Sequence, residues 1–145
     1  MDILFLGSGT STGVPSLCCD CDVCRSTDPK NKRLRSSILV RNGNNNLLID
    51  TSTDLRQQCL VNNITNINHV LYTHHHADHV HGIDELRSFN FFNNTVIPCY
   101  GNKNTIEKIK KNFNYIFNGT TQVGGGLPNL TLHTINGEVF TLGEV

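Results

Sequence analysis

Thr73-His74-His75-His76-Ala77-Asp78-His79-Val80-His81-Gly82 is the stretch whose reading decides the rest. It follows Val70-Leu71-Tyr72, an apolar run that reads as a strand. Written as H-x-H-x-D-H, it offers His74, His76, Asp78 and His79 as metal ligands. Side chains two apart point the same way on extended backbone, so His74 and His76 reach one ion. A turn after them aims Asp78 and His79 at a second ion close by. Two such ions bridge and deprotonate a water near neutral pH and polarise a phosphoryl or carbonyl oxygen. The carboxylate suits a hard divalent ion, and imidazole suits zinc, iron, manganese or nickel; a pair of zinc or manganese ions is expected. The competing reading is a metal-free surface loop. It is outweighed because five of the seven histidines fall within eight positions beside an acid. His75 and His81 lie outside the pattern, and supporting or solvated roles suit them. His69 and His133 are isolated, and no site is read from either.

Upstream lies a second cluster: Cys18, Cys19, Cys21 and Cys24 crowd into seven positions, out of six cysteines in all. In a reducing compartment such spacing points to metal or reactive thiols before disulfides. Cys19-x-Cys21-x-x-Cys24 can place three sulfurs about one tetrahedral zinc, with a fourth ligand from elsewhere. Cys18 reaches the same ion only with strain. A redox role and plain burial of free thiols stay open. Cys59 and Cys99 sit in apolar surroundings and read as core.

The remaining chain alternates strands with short helices, which makes the class α/β (α+β). Residues 2–6 suit a buried strand, and Gly7-Ser8-Gly9-Thr10-Ser11-Thr12-Gly13 follows as a loop. Ser37 to Arg41 and Leu47 to Asp50 read as a hairpin around Asn42-Gly43. Thr53 can cap a short helix that buries Leu55, Cys59 and Leu60. Gly82 to Arg87 reads as a short helix, and Val96 to Tyr100 as a strand that Pro98 limits to an edge or an end. Asn104 and Glu107 resemble a capping box ahead of Ile106, Ile109, Phe113, Ile116 and Phe117 at helical spacing. Gly124-Gly125-Gly126 breaks the chain. Leu130 to Ile135 and Val139 to Leu142 look like a last pair of strands. With no long linker and no repeat, residues 1–145 read as one domain.

Composition narrows the partners. The 145 residues carry 12 Lys and Arg against 12 Asp and Glu, with 17% charged residues and 37% hydrophobic. That balance disfavours a polycationic arm and a long nucleic-acid substrate. No apolar run is long enough to span a bilayer, so no membrane partner is expected. The first residues lack a basic n-region and a signal-length apolar run, so a cytoplasmic location is expected.

H-x-H-x-D-H after an apolar strand resembles the metallo-β-lactamase-fold hydrolases. Gly7 to Pro15, the C-x-C-x-x-C of Cys19, Cys21 and Cys24, the stretch Asp28 to Ser37, and Leu48-Ile49-Asp50-Thr51 are similar to one branch, the phosphoribosyl cyclic phosphate phosphodiesterases. Ribonuclease Z is a more distant relative. The resemblance implies a metallo-β-lactamase-like αβ/βα sandwich. It implies a metal-dependent hydrolase that cleaves a small phosphodiester, cyclic or nucleotide-like, by a metal-bridging hydroxide. His74 and His76 would hold one ion, and Asp78 and His79 the other, with Asp78 and His79 as the catalytic pair. The cysteines would hold a structural zinc completed by a late histidine. Asp50 would prop the ligand loop; as a residue it reads equally as a polar strand end. Ser8, Thr10 and Arg87 are the expected substrate contacts. On residues alone, a tight turn explains the Gly7–Gly13 loop better than a phosphate cradle. Arg33 and Arg35 are also phosphate candidates, though a solvated surface is preferred for both.

The family's second half supplies a further histidine, a bridging aspartate and a last histidine, and none follows His133 here. Each ion would keep two protein ligands where catalytic zinc uses about three. The expectation is therefore an N-terminal half, an incomplete domain that a C-terminal-half chain or a homodimer completes. The alternative is a truncated, inactive zinc-binding fragment or one piece of a split enzyme. A thiol redox protein comes third, since Cys21-x-x-Cys24 lacks the expected βαβ context.

Overall fold

The structure is a computed structural model and describes residues 1–120, 126–137, 139 and 141–142. Its frame is a six-stranded mixed sheet. Strand β1 (Asp2–Gly7) is followed by the one-turn helix α1 (Asp22–Arg25), which lies inside the cysteine loop. Strands β2 (Ser37–Asn42) and β3 (Asn45–Ile49) come next, then helix α2 (Leu55–Val61) and strand β4 (His69–Leu71). The one-turn helix α3 (Ala77–Val80) leads through a 3-10 turn at Ile83–Glu85 into α4 (Leu86–Asn93). Strand β5 (Ile97–Gly101), helices α5 (Lys103–Asn112) and α6 (Asn114–Phe117), and strand β6 (Leu130–Thr134) complete it. Spatial order follows chain order: β1, β2 and β3 pair antiparallel, while β3 to β6 pair parallel.

The parallel half explains where the site forms. Parallel strands need a crossover, and each crossover here carries a helix. The loops leaving β3 and β4 therefore emerge side by side at one end of the sheet, as Leu48 pairs with Val70 and Ile49 with Leu71. One face of the sheet is the core. Leu6, Leu39, Leu48, Val70, Ile97 and Cys99 pack there against Leu55 of α2, Leu86 and Phe89 of α4, and Ile109 of α5. Each such side chain contributes about 1.5–3 kcal/mol by leaving water.

The expected hairpin is present but turns one residue later, at Gly43-Asn44 instead of Asn42-Gly43, with Asn42 and Asn45 as its last pair and Gly43 at φ +56°. Cys59 and Cys99 are core residues. Other expectations shift. β1 is an edge strand whose second face is open, leaving Ile3 57% and Phe5 68% exposed, so it is not the buried strand expected. Leu60 is exposed rather than buried: it lies five residues after Leu55, on the opposite side of a helix that repeats every 3.6. Pro98 sits in an interior strand, at its start, before the ladder with β4 begins at Val70 and Cys99. Helix α5 starts two residues early, because β5 runs to Gly101 and Asn102 takes the cap, its Oδ1 accepting from Thr105 N–H at 2.9 Å. The helix expected to end at Arg87 continues through α4 to Asn93. Phe140 of the last expected strand, and Gly124 and Gly125, lie outside the described residues; Val139, Thr141 and Leu142 are in no strand.

Candidate metal centre

The site is built on Asp50, the residue after β3. Its backbone is left-handed (φ +63°), a conformation that Asp tolerates better than most residues. Its N–H donates to Leu71 O at 2.9 Å, and its carbonyl accepts from Ser37 Oγ at 2.9 Å. Held so, the buried carboxylate faces the neighbouring loop. Oδ1 accepts from Thr73 N–H at 2.8 Å, and Oδ2 lies 2.7 Å from both Thr73 Oγ1 and His79 Nδ1.

These contacts fix the protons. A carboxylate only accepts, so Thr73 gives Asp50 its hydroxyl proton and His79 carries its proton on Nδ1. Thr73 Oγ1 is then left to accept from His74 Nδ1, 3.0 Å away. In the neutral tautomer with its proton on Nδ1, each imidazole leaves Nε2 as the lone pair a metal takes. Such carboxylate–histidine pairing orients metal-ligating histidines generally. The rings are gathered, with centroids of His74 4.7 Å from His76 and 4.0 Å from His79. Burial first, and the neighbouring His79 and His76 next, hold the His74 pKa below its ordinary value. That favours the neutral, metal-competent form. Asp78 Oδ2 lies 3.3 Å from His79 Nε2. His74, His76, Asp78 and His79 are thus brought onto one loop, with the His74 ring nearer to His79 than to His76.

The loop Asp50–Asp54, which the sequence reading used only in part, braces this segment along its length. Gly82 N–H donates to Thr51 O at 3.0 Å, and Thr53 Oγ1 donates to Ala77 O at 3.3 Å. Thr53 therefore serves α3, not the start of α2. Asp54, at the α2 start, accepts from Arg35 N–H at 2.8 Å and from the Arg35 guanidinium at 2.7 Å. A Cβ on Gly82 would sit 2.2 Å from Ser52 O, so this close approach requires glycine. The run Asp-Thr-Ser-Thr-Asp straight after a strand was the available signal.

The cysteine lobe is arranged differently. Sγ atoms of Cys19, Cys21 and Cys24 all lie within 4.8 Å of one another, and among the described residues this is the set of three His, Cys, Asp or Glu donors that gathers so tightly. Cys19 and Cys21 Sγ are 3.5 Å apart. The Cys24 backbone N–H, then the Cys19 thiol, lower the Cys21 thiol to about 7, where thiolate is abundant at neutral pH. Three soft thiolates at this separation fit a zinc. Cys18 stays outside the set, with φ +61°.

The residues expected to contact phosphate have the following partners within the chain. Gly9 N–H is spent on Leu34 O at 2.8 Å and Gly13 N–H on Thr10 O at 2.9 Å. A Cβ on Gly7 would lie 2.0 Å from Arg35 O, so backbone packing accounts for that glycine. Ser8 Oγ accepts from Arg33 at 3.0 Å, and Thr10 bonds Thr12 at 3.0 Å. The Arg35 guanidinium is held by Asp54 and by Ser11 O. Arg87 is exposed on α4, beside a groove shared with Phe91 and Thr95. His75 meets His76 edge-on, His81 meets Phe113, and His133 stacks on Tyr100, which also neighbours His69.

With this geometry in place, comparison with known proteins defines the class. A family profile described as the beta-lactamase superfamily domain matches residues 45–145, and the chain belongs to that family. Its fold is the metallo-β-lactamase fold. The chain is similar to a diphosphatase from the PhnP family of known structure: 38% identity, TM-score 0.85, covering 97% of this chain and 52% of that one. It is 42% identical over 118 residues to an octanoyltransferase of Porphyromonas gingivalis, covering 81% of this chain and 24% of that protein. Zinc-bound PqqB from Methylobacterium extorquens, at 24% identity and TM-score 0.71 over 93% of this chain and 46% of that one, shares the fold. The chain therefore spans about half the length of these solved relatives, and a quarter of the octanoyltransferase.

Proposed function

We propose that this chain carries the metal-binding loop of a metal-dependent hydrolase that cleaves a small phosphodiester or diphosphate. The observation that carries the reading is the Asp50–Thr73–His74 and Asp50–His79 bonding, which sets both imidazoles in the metal-competent tautomer. His74 and His76 would hold one divalent ion and Asp78 with His79 the other. When bound, such a pair supplies Lewis acidity toward a phosphoryl oxygen and a water of lowered pKa. The protein's own part is positional. Asp50 keeps the proton of His79 on Nδ1, Thr73 passes the same constraint to His74, and Asp78 adds negative charge that attracts a cation. Each ion needs about one further protein ligand beyond these pairs. A further polypeptide segment supplies it in this proposal.

The 38% identity to a PhnP-family diphosphatase supports a small phosphate ester as substrate. A structural zinc at Cys19, Cys21 and Cys24 and a cytoplasmic location belong to the same reading; six free thiols suit a reducing compartment. The test is cleavage of bis(p-nitrophenyl) phosphate by protein loaded with zinc or manganese. We expect turnover that His76→Ala and Asp78→Ala abolish; turnover that survives both removes this site from the reaction. A second reading, a non-catalytic zinc-binding fragment, is favoured by the tighter convergence of the thiols. It predicts one metal per chain and no turnover under any loading.

A further inference from the structure

The helix α3, which carries Asp78 and His79, is one turn long, too short to hold its own shape. Its last carbonyl, Val80 O, lies 3.2 Å from Thr51 Oγ1, and Thr51 Oγ1 lies 3.1 Å from Tyr72 Oη. Thr51 is 0% exposed and Tyr72 1%. Thr51 has one hydroxyl proton, and a carbonyl only accepts. Thr51 Oγ1 therefore shares its one proton, donating toward Tyr72 Oη and toward Val80 O. The Thr51 hydroxyl thus bridges the Tyr72 ring and the turn that ends at Val80. Tyr72 is itself fixed to the sheet by its N–H on Tyr100 O at 2.8 Å.

From this the geometry points to Thr51 and Tyr72 as positioning residues that set where the Asp78–His79 pair sits relative to His74 and His76. They touch no ligand atom. The Tyr72 ring is anchored in the core, two residues before His74, while the Thr51 hydroxyl ends on the turn that carries the other pair. Together they brace one donor pair against the other through buried atoms, and metal affinity at the histidine loop depends on that brace. Asp50 fixes the protons of the imidazoles; Thr51 and Tyr72 fix the spacing of the pairs. The inference rests on the metal-binding reading above, and the following experiment separates the two.

Cobalt(II) added to the whole chain reports two sites separately. Thiolate coordination gives an intense sulfur-to-metal charge-transfer band, whereas nitrogen and oxygen ligands give only weak visible bands. In the unsubstituted protein both signals are expected. Thr51→Val should weaken the nitrogen–oxygen site about tenfold or more, the scale on which outer partners of metal ligands act. The thiolate site should keep its affinity and so serve as an internal standard for folding. Thr51→Ser, which keeps the hydroxyl, should restore binding. Tyr72→Phe should give a smaller loss, since Thr51 can still donate to Val80. Equal affinity in Thr51→Val and the unsubstituted protein overturns the brace while leaving the metal site standing. A parallel fall at both sites, or failure of Thr51→Ser to rescue, also overturns it by showing general destabilisation. Absence of the nitrogen–oxygen signal in the unsubstituted protein overturns the metal reading itself.

Discussion

The cysteine lobe and the histidine loop are both candidate metal sites, and they are built on opposite plans. Helix α1 in the lobe buries no residue, and Leu17, Cys19 and Cys21 face solvent. Its three thiols are nevertheless drawn together. The histidine loop is held from beneath by Asp50, Thr51 and Ser52, which are 4%, 0% and 0% exposed. Its candidate donors sit on a loop fixed by hydrogen bonds to the buried Asp50. On the proposed reading an ion would organise the chain in the lobe, whereas in the loop the chain is already organised for one. A structural metal substitutes for a hydrophobic core where none can form. A catalytic one needs ligands fixed in advance and room left for substrate.

The largest expected effect breaks the lobe. Replacing Cys21 and Cys24 together by Ser should remove one metal and abolish amide protection across residues 16–33, read by hydrogen exchange. Protection of residues 70–82 should stay. A lobe that remains protected without its thiols would erase the contrast.

Next is Asp50→Ala. It leaves the Thr73 N–H unpaired, at about 1–3 kcal/mol of stability. It should also weaken metal binding at the histidine loop about 10–100-fold, measured by chelator competition, with the lobe unaffected.

A smaller effect sharpens the boundary between the two regions. Arg35, whose backbone bridges to Gly9 ahead of the lobe, grips Asp54 in the histidine brace, with side chains 27% and 20% exposed. A double-mutant cycle with Arg35→Ala and Asp54→Ala should give a coupling of about 1 kcal/mol or less, after solvent screening. Zero coupling would make the regions independent.

The smallest effect is pH-dependent. The folded chain holds the His74 pKa below its ordinary value through burial and the neighbouring His79 and His76. The unfolded chain therefore takes up that proton first as pH falls through about 6.5. In metal-free protein this contribution is fully present above that value and lost below it. The urea midpoint should fall between pH 7.5 and 5.5, and His74→Gln should flatten the slope.

Much of the fold was legible because its signals are local. Asn42-Gly43 marks the hairpin of β2 and β3 to within one residue, and helical spacing marks α5. The errors arose where tertiary contacts decide. Nothing near Leu60 in the sequence says which helix face the sheet covers, and Asn104 lost the cap to Asn102 only because β5 runs to Gly101. The histidine motif itself was readable as a ligand set. Its brace was not, because Thr51 and Tyr72 meet across 21 residues through loop geometry that no short pattern encodes. The glycine loop fits the tight turn preferred on its residues alone: the Gly9 and Gly13 amides are spent on backbone partners at Leu34 and Thr10.

The most direct measurement is metal content per chain after zinc loading and gel filtration, for the unsubstituted protein and for His74→Ala with His76→Ala. We expect more than one zinc in the former, and in the double variant a loss confined to the histidine loop, with the thiolate-bound zinc retained. Equal zinc content in both would contradict the assignment of His74 and His76 as metal ligands.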